Sequence, residues 1–137
     1  MIRPIVKDTF FLGQKSGPAT KQDMSVGQDL TDTLRANQDR CVGMAANMIG
    51  VKKCVIAVSM GFMNVAMFNP VIISKSGEYE AEEGCLSLLG GPRKCKRYQT
   101  VKVQWQTADF QTRIKTFTGF SAQIIQHEVD HCDGVLI

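Results

Sequence analysis

The hexapeptide QHEVDH at residues 126–131 constrains this chain more than any other stretch, because it contains both of the chain's histidines. Residues four apart on an α-helix lie on one face, with Cβ atoms about 5–6 Å apart. His127 and His131 could therefore bind one metal ion. Glu128 is placed to hydrogen-bond water at such an ion without binding the ion itself. The alternative is that both histidines are ordinary residues of an amphipathic helix.

Three observations favour the metal site over that alternative. The chain has no other histidine, and Ile124 and Ile125 precede the motif as they would in a buried helix. The number of cysteines is odd and their spacing is not paired, which indicates reduced thiols that are available as metal ligands. The five cysteines are Cys41, Cys54, Cys85, Cys95 and Cys132.

A third ligand downstream of the motif is disfavoured. Only six residues, CDGVLI, follow His131. With about 3.6 residues per helical turn, Cys132 points roughly 100° away from its neighbour, and Asp133 is little better placed. The third ligand must therefore come from upstream, and it cannot be a histidine.

Cys85, in the stretch EEGCLSLLGG, is the best upstream candidate. Gly84 and the pair Gly90–Gly91 would expose backbone around a thiolate at the end of a strand. Cys54 and Cys95 lie inside apparent strands, where cysteine is more often a buried packing residue. Two histidines and one cysteine leave a fourth coordination position open, which is typical of a catalytic metal site.

Length and composition indicate one globular domain over residues 1–137, with 44% hydrophobic and 21% charged residues. Pro4, Lys7 and Asp8 interrupt the apolar start, and no later stretch reaches the ~18 apolar residues of a membrane span. We therefore expect a cytoplasmic protein without membrane contact. The net charge of +3 is mild, and the basic stretch PRKCKRYQ at 92–99 predicts a solvated loop rather than a DNA-binding site.

Two helices are predicted. Apolar spacing indicates one over roughly residues 24–38, with Asp23 or Ser25 as its N-cap. The second begins near Thr118, carries the histidine motif and ends at Gly134. The irregular segment before the first helix carries no further prediction.

The middle of the chain predicts an antiparallel sheet. Segment 41–50, CVGMAANMIG, indicates a turn or a close crossing of backbone, because small residues and two glycines follow one another. The fold class is α+β, with antiparallel sheet packed around a C-terminal helix that carries the metal motif. The predicted strands, rich in β-branched and aromatic residues, are 52–59, 64–74, 77–83, 96–107 and 112–119.

Three segments resemble the motifs of the peptide deformylase family: CVGMAANMIG at 41–50, EGCLS at 83–87 and QHEVDH at 126–131. Arg97 and the terminal GVLI at 134–137 fit as well, so the resemblance covers most of the chain. It implies the small α+β deformylase fold and a bacterial or organellar-type origin. It also implies hydrolysis of the N-formyl group from formyl-methionyl nascent peptides.

The same resemblance implies roles for individual residues. Cys85, His127 and His131 would bind one divalent metal ion, usually Fe²⁺, with Zn²⁺ or Ni²⁺ as substitutes. Glu128 would be the catalytic acid and base. The implied partners are N-formyl-methionyl peptides, with a transient contact to the ribosome, and the oligomeric state is not predicted.

The resemblance also implies substrate contacts. Backbone around Val42, Gly43 and Gly84 would hold the peptide, and the backbone N–H of Leu86 would stabilise the oxyanion. A non-catalytic relative that binds metal and formyl peptides is the second hypothesis. A metallopeptidase is disfavoured by the lack of downstream ligands, and a redox thiol protein by the lack of a C-x-x-C pair.

The first motif departs from the family pattern, which reads Gly-x-Gly-x-Ala-Ala-x-Gln. Cys41 replaces the first glycine, and we expect it to be a small buried residue rather than a further ligand. Met48 replaces the glutamine that acts as an oxyanion donor, and methionine cannot donate a hydrogen bond. Loss of such a donor typically costs about 10²–10³ in kcat. Asn47 could replace that donor only if the loop were rotated, and simple loss of the donor is the favoured interpretation.

Overall fold

The computed structural model describes residues 1–61, 63–85 and 91–137. These residues form three α-helices and five β-strands. The helices are α1 (Thr9–Leu12), α2 (Met24–Ala36) and α3 (Gly119–Cys132), with 3₁₀ turns at Lys21–Asp23 and Ala46–Ile49. The strands are β1 (Gly43–Ala45), β2 (Val55–Ser59), β3 (Asn64–Glu83), β4 (Arg93–Gln106) and β5 (Thr112–Thr118).

The strands form one antiparallel sheet in the order β1-β2-β3-β4-β5. Side chains of β2 alternate between two apolar clusters, as the period of two in a strand requires. Val55 packs with Leu30 of α2 on one face, and Ile56 packs with Ile125 of α3 on the other. The predicted α+β fold with a C-terminal helix buried against the sheet is confirmed.

The prediction of separate strands at 64–74 and 77–83 was wrong, because β3 runs through both. β4 offers pairing partners along almost all of β3, from Phe68 to Glu83. The irregular sequence is absorbed within the strand, since Asn69 takes φ +52° at a shift in register and Gly77 takes φ +78°.

The two predicted helices are present, and Asp23 stands at the N-cap of α2 as predicted, without a capping hydrogen bond from its side chain to that helix. Ser25 lies inside α2, and the Asp23 carboxylate instead accepts the Thr20 backbone N–H at 2.8 Å, which closes a capping box on the preceding 3₁₀ turn. Thr118 stands at the N-cap of α3, with no capping hydrogen bond from its side chain among the described contacts. Among the described residues, none of the helices has the length and hydrophobicity that a membrane span requires.

Segment 41–50 is more ordered than a turn. Its centre forms β1, which pairs with β2, and a 3₁₀ turn follows and ends at Gly50 with φ +86°. The basic stretch at 92–99 is not a loop either, because most of it lies in β4. Lys94 and Lys96 lie 3.9 and 3.7 Å from glutamates of β3, so the neighbouring strand pairs with part of its charge.

Candidate metal centre

Packing and two hydrogen bonds fix how α3 faces the sheet. Ile125 is fully buried on the sheet side of the helix. Gln126 accepts the backbone N–H of Tyr98 and donates to the Tyr98 carbonyl, both at 2.8 Å. β5 pairs with β4 only from Thr100 onward. At Tyr98, the Gln126 side chain therefore makes the backbone hydrogen bonds that a neighbouring strand would otherwise make. The rotation of α3, and with it the direction of its histidines, is therefore set by the edge of β4.

The structure brings Cys85, His127 and His131 together. Each offers one potential ligand atom, and these atoms all lie within 4.8 Å of one another. The two imidazole rings have centroids 4.5 Å apart. Cys85 reaches them because β3 ends two residues earlier, at Glu83, beside α3. This is the group that the sequence predicted as ligands.

A buried carboxylate orients His127. Glu83 Oε1 lies 2.7 Å from His127 Nδ1, and Glu83 also accepts hydrogen bonds from Arg97 Nη2 at 2.6 Å and from Gln123 Nε2 at 2.9 Å. Arg97 is itself held by Asp130, whose Oδ2 accepts from Nη1 at 2.7 Å. A carboxylate that accepts from one ring nitrogen leaves the other for a metal, as in carboxylate–histidine–metal arrangements.

The ionisable side chains of this group shift one another's pKa values toward the charged forms. Burial would raise the pKa of the Cys85 thiol, but hydrogen bonds from His127 and His131 lower it to about 7. Burial would lower the pKa of His127, but its hydrogen bonds to Cys85 and Glu83 raise it to about 9. Burial opposes the charge of His131 in the same way, and the Glu128 and Cys85 charges raise its pKa to about 11. The metal-free site therefore pairs a readily formed thiolate with protonated imidazoles.

The donor set fits a divalent transition-metal ion. A thiolate and two imidazoles suit Zn²⁺, Fe²⁺ and Ni²⁺ in preference to Ca²⁺ or Mg²⁺. Glu128 Oε1 and His131 Nδ1 are both buried and lie 3.2 Å apart, yet neither has an aligned hydrogen-bond partner among the described residues. Buried polar atoms are rarely left unsatisfied, so these two point to a polar group that binds beside them.

A cavity of about 450 Å³ opens beside this group. Residues around β1 line one part, the end of β3 lines another, and α3 contributes Glu128 and His127. Gly43 is required where β1 meets α3, because a Cβ there would lie 2.9 Å from Glu128 Oε2 and 2.7 Å from Ile124 Cγ2. The glycine of the first motif therefore makes room for the Glu128 carboxylate.

Met48 is buried at this site, with Sδ 4.0 Å from Cys85 Sγ. Its thioether thus faces the metal group in the place where the family pattern has a hydrogen-bond donor. Asn47 does not replace that donor, because its Nδ2 donates to the carbonyls of His131 at 3.0 Å and Leu12 at 3.4 Å. The alternative of a rotated loop is therefore wrong.

The other four cysteines lie outside the ligand group that the described residues form. Cys41 lines the cavity, but its thiol donates to the Gly43 carbonyl at 2.9 Å and burial raises its pKa to about 12. It is thus a protonated small residue rather than a further ligand, although it is half-buried and not buried as expected. Cys132 is buried in the core, while Cys54, just before β2, and Cys95, in β4, are only half-buried.

The predicted substrate-binding residues border the cavity. Val42 is 41% exposed there, although its carbonyl already accepts the Ser59 N–H at 2.8 Å. Gly84 is exposed, and a side chain at that position would meet nothing within 4 Å. Leu86, the predicted oxyanion donor, lies outside the described residues.

Sequence reasoning missed the residues that orient the ligands. Glu83 immediately precedes the glycine and cysteine of the second motif, which is the one local signal of its role. Its partner His127 is 44 positions away, and Gln126 is bound to Tyr98 28 positions away. Such contacts depend on how α3 crosses β4, which no local pattern specifies.

The chain matches the polypeptide deformylase family over residues 3–137. A peptide deformylase of Clostridium beijerinckii is 57% identical over 137 residues, which is 100% of both chains. A peptide deformylase of Heliobacterium modesticaldum is 38% identical over 128 residues, covering 91% of this chain and 83% of that protein.

Solved structures are similar over almost the whole chain. A class I type b peptide deformylase from Acinetobacter baumannii, crystallised with Met-Ala-Ser, superposes with a TM-score of 0.87 at 28% identity and covers 99% of this chain and 96% of that one. The peptide deformylase from Thermotoga maritima gives 0.87 at 28% identity, with 99% and 94% covered. The chain therefore belongs to the peptide deformylase family, the metal-dependent hydrolases that act on N-formyl peptides.

Proposed function

We propose that residues 1–137 act as one domain that removes the formyl group from formyl-methionyl peptides, with Cys85, His127 and His131 binding one divalent metal ion. The observation that carries this assignment is the convergence of these three side chains within 4.8 Å, at a cavity lined by Glu128. On the family resemblance, Fe²⁺ is the proposed metal, with Zn²⁺ or Ni²⁺ as substitutes. Such an ion, when bound, polarises the substrate carbonyl and activates water.

Glu128 is the proposed acid and base. It takes a proton from the attacking water and returns it to the methionine nitrogen as the bond from the formyl carbon to that nitrogen breaks. The products are formate and a free N-terminus. Burial keeps the Glu128 carboxylate out of bulk water, and Gly43 allows it to face the cavity. A positioned proton donor and acceptor of this kind typically contributes about 10²–10⁴-fold to rate.

The peptide would bind along β1. This strand is at the edge of the sheet, and the backbone from Val42 to Gly43 borders the cavity opposite its pairing with β2. An edge strand can add an extended peptide through main-chain hydrogen bonds. Gly84 would contact the peptide from the β3 side, and the Leu86 N–H stays a predicted oxyanion donor.

Formate release tests the proposal. We would purify the protein anaerobically with Fe²⁺ and assay a formyl-Met tripeptide with the unaltered protein, Glu128→Gln and Asp109→Asn. The last is a matched acid-to-amide change in the exposed turn between β4 and β5. We expect turnover in the unaltered protein and in Asp109→Asn, and a loss of at least about 10²-fold in Glu128→Gln. Equal rates in all three would contradict the role of Glu128.

A catalytically inactive protein that binds metal and formyl peptides is the second candidate, and Met48 is the observation in its favour. A site without the side-chain donor would be slower by about 10²–10³ than one with it. Met48→Gln, run in the same assay, separates the two candidates. Activity that appears only in this variant would favour the binding protein, whereas turnover in the unaltered protein supports the enzyme.

The ribosome contact stays a prediction. Within the basic stretch at 92–99, Arg97 is buried against Glu83 and two lysines lie close to glutamates of β3. Arg97 is therefore not available to the ribosome, whereas the side chains of the two lysines remain exposed. Co-sedimentation with ribosomes at low and at physiological salt would test the contact.

A further inference from the structure

Arg40 lies at the rim of the cavity, just before β1. Among the described residues that line the cavity, it is the only lysine or arginine. Its side chain is exposed, and no described carboxylate lies within ion-pair distance of it. The rim of the cavity therefore carries a positive charge at Arg40 that no described carboxylate neutralises in an ion pair.

The Arg40 guanidinium is held in place. Its Nη2 donates to Asn37 Oδ1 at 2.9 Å, and the Asn37 amide in turn donates to the Thr33 carbonyl at 2.8 Å. Asn37 is only 9% exposed, so its amide is a fixed acceptor at the end of α2. One of the five guanidinium N–H groups is used in this contact, and the others remain for a ligand.

The cavity's carboxylates do not cancel this charge. Glu83 is buried and neutralised by Arg97, and Glu128 lies against His131. Glu82 is exposed and lines the cavity from the end of β3. The cavity thus carries a cation on the β1 side and an anion on the β3 side, both in contact with solvent.

The direction of the peptide follows from the proposed function, on which this inference rests. The formyl group must reach Glu128 and the three predicted ligands, so the rest of the peptide leaves through the open rim, which exposed Arg40 and Glu82 line from opposite sides. A peptide bound along β1, as proposed, passes the Arg40 side. We infer that Arg40 is a specificity-determining residue that favours an acidic side chain in the peptide downstream of the formyl-methionine. A guanidinium binds a carboxylate through paired hydrogen bonds, which neutral or basic side chains cannot accept in that way.

The test compares kcat/KM for peptides that end in an amide, so that a terminal carboxylate does not compete. The set is formyl-Met-Ala-Ala, formyl-Met-Glu-Ala, formyl-Met-Ala-Glu and formyl-Met-Ala-Lys amides, with formyl-Met-Ala-Ala as free acid in addition. We expect one glutamate peptide to exceed its alanine counterpart by roughly two- to fivefold, the range of a single exposed ion pair. A preference for the free acid alone would assign the carboxylate to the chain end and overturn the side-chain preference.

Two variants test whether Arg40 causes the preference for acidic peptides. Arg40→Gln should bring the glutamate-to-alanine ratio toward one, and Arg35→Gln, which removes the same charge from the exposed end of α2, should leave it unchanged. The ratio in the unaltered protein should also fall with added salt, which screens exposed charges. Equal ratios in the unaltered protein and Arg40→Gln, or an equal fall in Arg35→Gln, would overturn the inference. A failure of the proposed function looks different, because no peptide would then release formate.

Discussion

Arg97→Met tests how the buried charges beneath the metal group are balanced. Arg97 is 4% exposed, and its guanidinium donates to Glu83 at 2.6, 2.9 and 3.1 Å. Methionine fills similar space but leaves the Glu83 carboxylate buried with only His127 and Gln123 as described partners. Removing one partner of a buried ion pair typically costs about 3–5 kcal/mol. Against a usual total of about 5–15 kcal/mol, we expect a large loss in the free energy of unfolding.

Lowering the pH should also disrupt the interaction of Glu83 with Arg97 and His127. Burial would raise the pKa of Glu83, but hydrogen bonds from His127 and Arg97 hold it well below its usual value of 4.5. A carboxyl group with a depressed pKa stabilises the fold fully above its unfolded pKa and loses that contribution as the pH falls through its folded value. The unaltered protein should therefore lose stability as the pH drops below 4.5, and Arg97→Met should lose less over the same window.

The assay is urea unfolding of the metal-free protein at pH 7 and at several lower pH values, followed by fluorescence of Trp105. This is the only tryptophan, and its ring lies 5.8 Å from that of Phe117 in the core beside α3. Arg113→Met, an exposed change in β5, is the control and should stay within about 0.5 kcal/mol. The double variant Glu83→Gln/Arg97→Met should recover part of the loss, because it removes the unpaired charge. A loss below about 1 kcal/mol, or additive single effects, would refute the reasoning.

Three further predictions concern the metal and the general base. Gly43→Ala should lower kcat/KM by about 10²-fold and the free energy of unfolding by about 1–3 kcal/mol, because a methyl group there displaces both Glu128 and buried Ile124; full activity would contradict this reading of the glycine. Cys85→Ser should lower the bound metal per chain and remove most of the rise in Tm that added metal produces, as measured by elemental analysis and calorimetry, whereas Cys95→Ser should change neither. Metal affinity, measured by competition with a chelator, should rise from pH 7 to pH 9, because His127 has a pKa of about 9 in the metal-free site and must lose its proton to coordinate; an affinity independent of pH would refute this.

Part of the site could be predicted from short-range sequence patterns and ligand chemistry. The spacing of His127 and His131 predicted that they face the same way, because an α-helix places residues four apart on one face. Cys85 could be selected because only a few residues in the chain can serve as soft ligands and it lies beside Gly84 at the end of a predicted strand. The apolar residues before the motif likewise indicated a buried helix, as Ile125 shows.

The contacts that orient the site could not be predicted from the sequence. Strand β3 was predicted as two strands, with a break at residues 75–76 before Gly77, but pairing along β4 outweighs local preference. Asn47 was given a conditional role as a donor, and the structure directs its amide to the carbonyls of His131 and Leu12 instead. Both outcomes depend on partners that are distant in sequence.

Residue types and short-range spacing were enough to predict an α+β fold, a histidine pair on the last helix and Cys85 as its upstream partner, because these follow from helical period and from ligand chemistry. The crossing of α3 over β4 decided the rest. It buries Glu83 against His127 and Arg97, and it brings Gly43 up to Glu128. These pairs are 14 to 85 positions apart, and their geometry exists only after the sheet has formed and the helix has packed onto it.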